Sequence, residues 1–308
     1  KGPVAPMVAG LAAVALWWLD RRAGRKRDWL GVLRASWGLP LALAVVAPWA
    51  VLIWIATDGA FFIEALRGDL GVSLHSRQPV VSLIGERLPA TVQLGLAATV
   101  VGLLIGIPVA VASALMPGSW LDRALSGWSA LALGVPTFWL GILLILLFAV
   151  HLRWLPSASG YVPFWESPIE MMRNILLPAL TLGVYVSGIF ARFLRASLVA
   201  ELRADYVRTA RSKGLPERDV VGRHVMRNAM LPFVTIVGLM MANFIGGTVV
   251  TEAVFTYPGL GRLLITAIST RDYPLIQGCI LVILVIYIVI NVMVDVLYAY
   301  IDPRIEYA

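Results

Sequence analysis

Seven stretches of 18 to 29 residues run without a single Asp, Glu, Lys or Arg: residues 2–19, 35–57, 88–116, 124–150, 174–191, 228–251 and 273–294. A helix needs about 20 mostly apolar residues to cross the hydrocarbon core of a bilayer, so nearly every one of these is long enough. None alternates apolar with polar residues as barrel strands do. With 59% apolar residues and a mean hydropathy of +0.84, the 308-residue chain lies well above soluble domains. The pattern therefore predicts an all-α, polytopic membrane protein.

The positions of the basic residues set an expected orientation, because cytoplasmic loops hold an excess of Lys and Arg. If the loops after the first, third and fifth stretches share a side with the C-terminal tail, that side carries 17 of the 25 basic residues. The loops around Arg25 and Arg208 and the C-terminus are then cytoplasmic. This asymmetry accounts for the net charge of +7 without a nucleic-acid partner. The single cysteine, Cys279, sits within an apolar stretch, where a buried inert thiol is expected. His75, His151 and His224 are far apart and fall on both sides, so no metal site is expected.

The longest charged segment, residues 192–227, has a helical pattern on both sides of one break. Leu194, Leu198, Leu202 and Tyr206 recur every four residues, and Lys213-Gly214-Leu215-Pro216 follows as a stop signal with glycine available for a left-handed cap. From Glu217 to Arg227 a second helix restarts, acidic at its beginning and basic at its end. A short helix of this kind can sit in a groove on a partner, with Gly214 allowing close backbone approach. It can equally be a solvated basic loop held by anionic lipid head groups, and spacing alone leaves the two open.

At these residues the chain resembles a family. Asp205-Tyr206-Val207-Arg208-Thr209-Ala210-Arg211-Ser212-Lys213-Gly214-Leu215, followed by Arg223-His224, Arg227-Asn228-Ala229 and Leu231-Pro232, is similar to the coupling-loop signature of ABC importer permeases, in the form of the dipeptide, oligopeptide and nickel group. Further blocks run in order from about Gly68 to Arg304. They are Glu86-Arg87-Leu88-Pro89-Ala90-Thr91, Pro136-Thr137-Phe138-Trp139, Phe255-Thr256-Tyr257-Pro258-Gly259-Leu260-Gly261, Asp272-Tyr273-Pro274 and Asp302-Pro303-Arg304. Pro136, Tyr257, Pro258, Gly259 and Gly261 are the motif positions carried over outside the coupling loop.

The resemblance implies a type I importer permease domain over residues 68–308 in the bacterial inner membrane; with the two uncharged stretches of residues 1–67 counted, the expectation is a six-helix permease core plus one extra N-terminal helix. It also implies a second homologous permease subunit, two ATP-binding cassette subunits that bind ATP and Mg, and an external solute-binding protein. Among the lysines, Lys1, Lys26 and Lys213, none lies in a Gly-Lys-Ser/Thr setting, so hydrolysis and its cofactors are expected in the partners and no catalytic residue in this chain.

The first 67 residues depart from the family. Ala15-Leu16-Trp17-Trp18-Leu19-Asp20-Arg21-Arg22, with Trp37-Gly38-Leu39-Pro40, Pro48-Trp49 and Gly59-Ala60-Phe61-Phe62, resembles a polyprenyl-phosphate-sugar membrane glycosyltransferase. A fusion or mis-joined frame near Gly68 to Gly71 would explain both halves. Two rivals follow: a glycosyltransferase, whose external acidic candidates Asp58, Glu64, Asp69 and Glu86 match no motif, and a secondary transporter, which calls for inverted repeats that the sequence does not show.

Overall fold

The computed structural model describes residues 69–158 and 160–301, the last seven of these as backbone only, together with helical residues 47–48, 51–52 and 54–55. The stretch 2–19, most of 35–57, Asp58, Glu64, the side chain of Asp295 and Asp302-Pro303-Arg304 lie outside the described residues. The chain divides into two units, Lys1–Asp69 and Leu70–Ala308. The second is helical.

Its first helix, α1 (Val80–Leu115), carries no charged residue after Arg87 and is apolar on every side from there on. One face is nevertheless singled out by size. Ala90, Leu94, Ala98, Gly102, Gly106, Ala110 and Ala114 recur every four residues, and all are buried. Lipid tails are as apolar as leucine, so helices in a bilayer associate through close packing rather than hydrophobic transfer, and small residues permit that approach. The partner is α4 (Pro168–Leu202), started by Pro168 in its first turn and by the Ser167 hydroxyl, which accepts the Glu170 N–H at 3.4 Å. A Cβ on Gly102 would stand 2.3 Å from Val186, and one on Gly183 would stand 2.4 Å from Val101. Contacts advance together along both helices, from Val101 with Gly183 to Ser113 with Arg195, so α1 and α4 run parallel.

Between them the chain makes α2 (Trp120–Gly134) and α3 (Thr137–Leu144), the latter continuing as π-helical turns over Ile145–His151. The sequence treats residues 124–150 as one span. In the structure α2 and α3 meet at a 98° bend at Val135-Pro136, where both residues are extended. A proline N–H cannot join the helix ladder, and the residue before proline avoids the helical region. Pro108 and Pro178, by contrast, lie inside continuous helices.

After α4 come the short α5 (Asp205–Ser212), a helical and π-helical run over residues 217–225, and α6 (Met226–Gly247). Then α7 (Val249–Val254), α8 (Leu260–Ser269) and α9 (Tyr273–Ile301) complete the unit. α6 lies antiparallel to α4, through Ala229 with Ser197 and an edge-on Phe190–Phe233 pair 5.4 Å apart, and α9 lies antiparallel to α6, through Val294 with Gly238 and Ile283 with Gly246. Among the described residues four helices are long and apolar enough to cross a membrane, or five if the bent pair counts as one span. Residues 152–167 are largely irregular, as their prolines and glycine suggest.

Candidate functional site

α5 has only two turns, a length that is marginal in water without tertiary support. Val207 and Ala210, three residues apart and so on one face, supply it by packing into the main core beside Val220 and Val225. The opposite face, with Asp205, Tyr206, Arg208 and Thr209, stays exposed, as do Lys213, Gly214 and Leu215. Asp205 in the first turn and Arg211 in the last match the helix dipole.

The end of α5 is the expected glycine cap. The Leu215 N–H donates to the Ala210 carbonyl at 3.4 Å and the Gly214 N–H to the Arg211 carbonyl at 2.9 Å, while Gly214 sits at φ +76°. Among the described residues nothing lies within 4 Å of a Cβ placed there, so the backbone angle is what calls for glycine. Across the turn, the Arg211 guanidinium holds Glu217 bidentately at 2.6 and 3.1 Å and keeps its carboxyl below the ordinary range.

The repeat Leu194, Leu198, Leu202, Tyr206 suggests one helix, but α4 ends at Leu202 and Ala204 is extended. Three-residue hydrogen bonds from the Arg203 and Ala204 N–H groups to the Ala200 and Glu201 carbonyls close α4, and Asp205 opens a new helix. The Tyr206 hydroxyl reaches back to Glu201 at 2.5 Å. Burial, reinforced by that carboxylate, pushes the phenol above its usual pKa, so it stays a donor.

The remaining motif positions gather elsewhere. Glu252 in α7 is fully buried. Its Oε1 accepts the Thr91 hydroxyl at 2.7 Å and the Thr248 hydroxyl at 2.8 Å, and its Oε2 accepts the Arg262 N–H at 3.0 Å. The Thr91 hydroxyl in turn accepts the Leu260 N–H at 2.7 Å. The carboxylate thereby caps the start of α8, a place that Gly259 cannot cap with a side chain of its own. A Cβ on Gly259 would lie 2.3 Å from the carboxyl carbon, and one on Gly261 would lie 2.6 Å from the Val249 Cα. Tyr257, fully buried, and Pro258 complete the turn.

Two motif blocks, one ending at Thr91 and one spanning Phe255 to Gly261, thus meet across 169 residues of chain, through the Leu260 N–H and the Thr91 hydroxyl, in the first half of α1. α5 lies at the opposite end. There Ser113, near the end of α1, faces Arg195, near the end of α4 from which α5 follows. Pro136 belongs to neither group; it marks the α2–α3 bend.

Three buried carboxylates were not identified as structural ties from sequence. Besides Glu252, Asp122 binds Arg195 through two contacts of 2.8 and 2.9 Å and accepts the Ser113 hydroxyl and the Gly118 N–H. Asp272, at the start of α9, accepts the Ser73 hydroxyl at 2.5 Å and the N–H groups of Leu74, His75 and Leu275. The available signal was position: each follows or precedes an uncharged stretch, where an acid at an apolar boundary invites a search for its partner.

Comparisons with known proteins agree with one another. The profile of the family described as binding-protein-dependent transport system inner membrane component matches residues 102–307. A protein of Brucella abortus (strain 2308), named as a peptide transport system permease protein, is 44% identical over 239 residues, 78% of this chain and 76% of its own. The glutathione transport system permease protein of Escherichia coli O6:H1 (strain CFT073) is 42% identical over 244 residues, covering 79% and 77%. In fold, the chain is similar to the inward-facing MetNI methionine ABC transporter, at a TM-score of 0.60 and 16% identity, over 72% of this chain and 97% of that one. These findings do not favour the glycosyltransferase or secondary-transporter alternatives.

Proposed function

Because the chain belongs to the family of binding-protein-dependent transport system inner membrane components, we propose that α5 is the surface through which separate ATPase subunits move it, and that its solute is a short peptide. The chain is a multi-pass inner-membrane permease subunit of an ATP-driven ABC importer for peptides or related small solutes. The observation that carries the coupling role is the split character of α5. Val207 and Ala210 fasten it to the core, while Arg208, Thr209 and the Lys213-Gly214-Leu215 turn stand free to meet a partner.

A push on the exposed face would be transmitted, not absorbed. α5 is joined to α4 by two residues, of which Ala204 is extended, and to the helical run that leads into α6 by a turn that the Arg211–Glu217 pair braces, so displacement of α5 tilts the adjoining ends of both. Arg195 carries that tilt from α4 into Asp122 and hence α2, whose far end is the bend at Pro136. Alternating access follows if ATP-driven closure of the partners moves this end of the bundle.

On this reading α5 and the C-terminus face the cytoplasm, ATP and Mg are bound by two ATPase subunits, a second homologous permease completes the path, and an external binding protein delivers solute. The peptide assignment is supported by relatives named for peptides and for glutathione, itself a tripeptide. Gly214 tests the coupling role. Asparagine tolerates a positive φ, so Gly214→Asn should keep most uptake, whereas Gly214→Trp should insert and assemble but lose uptake or separate it from ATP hydrolysis. Normal uptake and normal solute-stimulated ATPase activity in Gly214→Trp would refute the docking role.

A further inference from the structure

A cavity of about 980 Å³ opens where the α2–α3 bend meets α4, α6 and α9. Its size lies at the upper end of the roughly 300–1,000 Å³ of small-molecule sites. Thr137, Tyr185, Asn243 and Tyr287 contribute polar groups to its wall, and none of these side chains makes a hydrogen bond to another described residue. Three of the four come from helices apolar enough to span the membrane, with Tyr185 at the middle of α4. Unpaired polar groups facing lipid tails cost several kcal/mol each, so such groups mark a surface that meets water or solute instead.

What the wall lacks is equally informative. Among the described residues that line it there is no Asp, Glu, Lys, Arg, His or Cys. A bare divalent cation would find no carboxylate, imidazole or thiolate, and a solute of high net charge would find no counter-charge. An amide offers a neutral donor and acceptor pair that the Asn243 amide and the tyrosine hydroxyls can match. Neutral partners also bind weakly enough to let a solute leave.

Resting on the peptide-importer reading, we propose that this cavity is a solute-contact site at which Asn243, Tyr185 and Tyr287 recognise the amide groups of a short peptide without charge pairing. The test uses the complex assembled with its partner subunits, in a Cys279→Ala parent, carrying Asn243→Cys, Tyr185→Cys or, as a lipid-facing control, Leu104→Cys, which is 70% exposed within an apolar helix. Thiolate forms in water and not in lipid, so a water-soluble methanethiosulfonate should modify positions 243 and 185 about tenfold or more faster than 104, and dialanine should slow both. Failure of 243 and 185 to label, or labelling indifferent to dialanine in a complex that takes up dialanine, overturns the site. Uptake by the unsubstituted complex is scored separately: an unsubstituted complex that takes up no peptide overturns the peptide reading and the solute class inferred with it, even if both cysteines label.

Discussion

At the α5 end of the bundle acids meet cations: Asp122 meets Arg195, Glu217 meets Arg211, Asp205 meets Arg208 and Asp219 meets Arg223. At the other end Glu252 and Asp272 have no cation among the described residues and are held instead by hydroxyls and backbone N–H groups. The two chemistries tolerate movement differently. Long basic side chains can follow a shifting carboxylate by changing rotamer, whereas a carboxylate that caps a helix start is fixed by the direction of the N–H groups it accepts. One end of the subunit is therefore built to shift, and the other to keep α7, α8 and the starts of α1 and α9 in register.

That contrast is broken most directly at Glu252. Glu252→Ala leaves the Thr91 and Thr248 hydroxyls and the Arg262 N–H without their acceptor, each worth about 1–3 kcal/mol when buried and unsatisfied. The variant should melt far below the parent in detergent or fail to assemble, and Glu252→Gln, which keeps one acceptor oxygen, should fall between them. Parent-like melting of Glu252→Ala would remove the rigid half of the comparison.

The smallest effect is expected at Arg211–Glu217, whose side chains are 44% and 56% exposed. Arg211→Ala should cost only about 0.2–1 kcal/mol of stability. Because Arg211 lowers the Glu217 pKa in the folded protein, the pair's contribution is complete above the ordinary glutamate value near 4.5 and declines as the pH falls through the lower, folded value. A thermal-stability series from pH 7 down to pH 3 should thus show parent and Arg211→Ala converging. A gap that widens in acid would reverse the assigned sign.

Much of the moving end could be read from sequence, since helix stops are written locally: Gly214 and Pro216 announce the turn, and Glu217 the restart. The break at Arg203-Ala204 could not, because the four-residue spacing of Leu194 to Tyr206 passes through it undisturbed. The rigid end was the harder half. Thr91 and Glu252 are 161 residues apart, and no local pattern ties them. α1 holds an intermediate case: its four-residue row of alanine and glycine is plain once seen, but the surrounding residues are so uniformly apolar that periodicity alone gives it little contrast. The uncharged length of residues 124–150 argued for one span, whereas in the structure the chain bends at Val135-Pro136, where proline interrupts the helix ladder.

The coupling role of α5 is tested most directly by a photo-reactive benzoylphenylalanine placed at Thr209, on its exposed face, or at Thr270, beyond α8 at the opposite end. In the purified, transport-competent complex, light should join the Thr209 probe to an ATPase subunit, the Thr270 probe should not, and ATP should change the Thr209 yield. Cross-linking of the ATPase from Thr270, or none from Thr209 in a complex that still transports, would contradict the assignment of α5 as the moving contact.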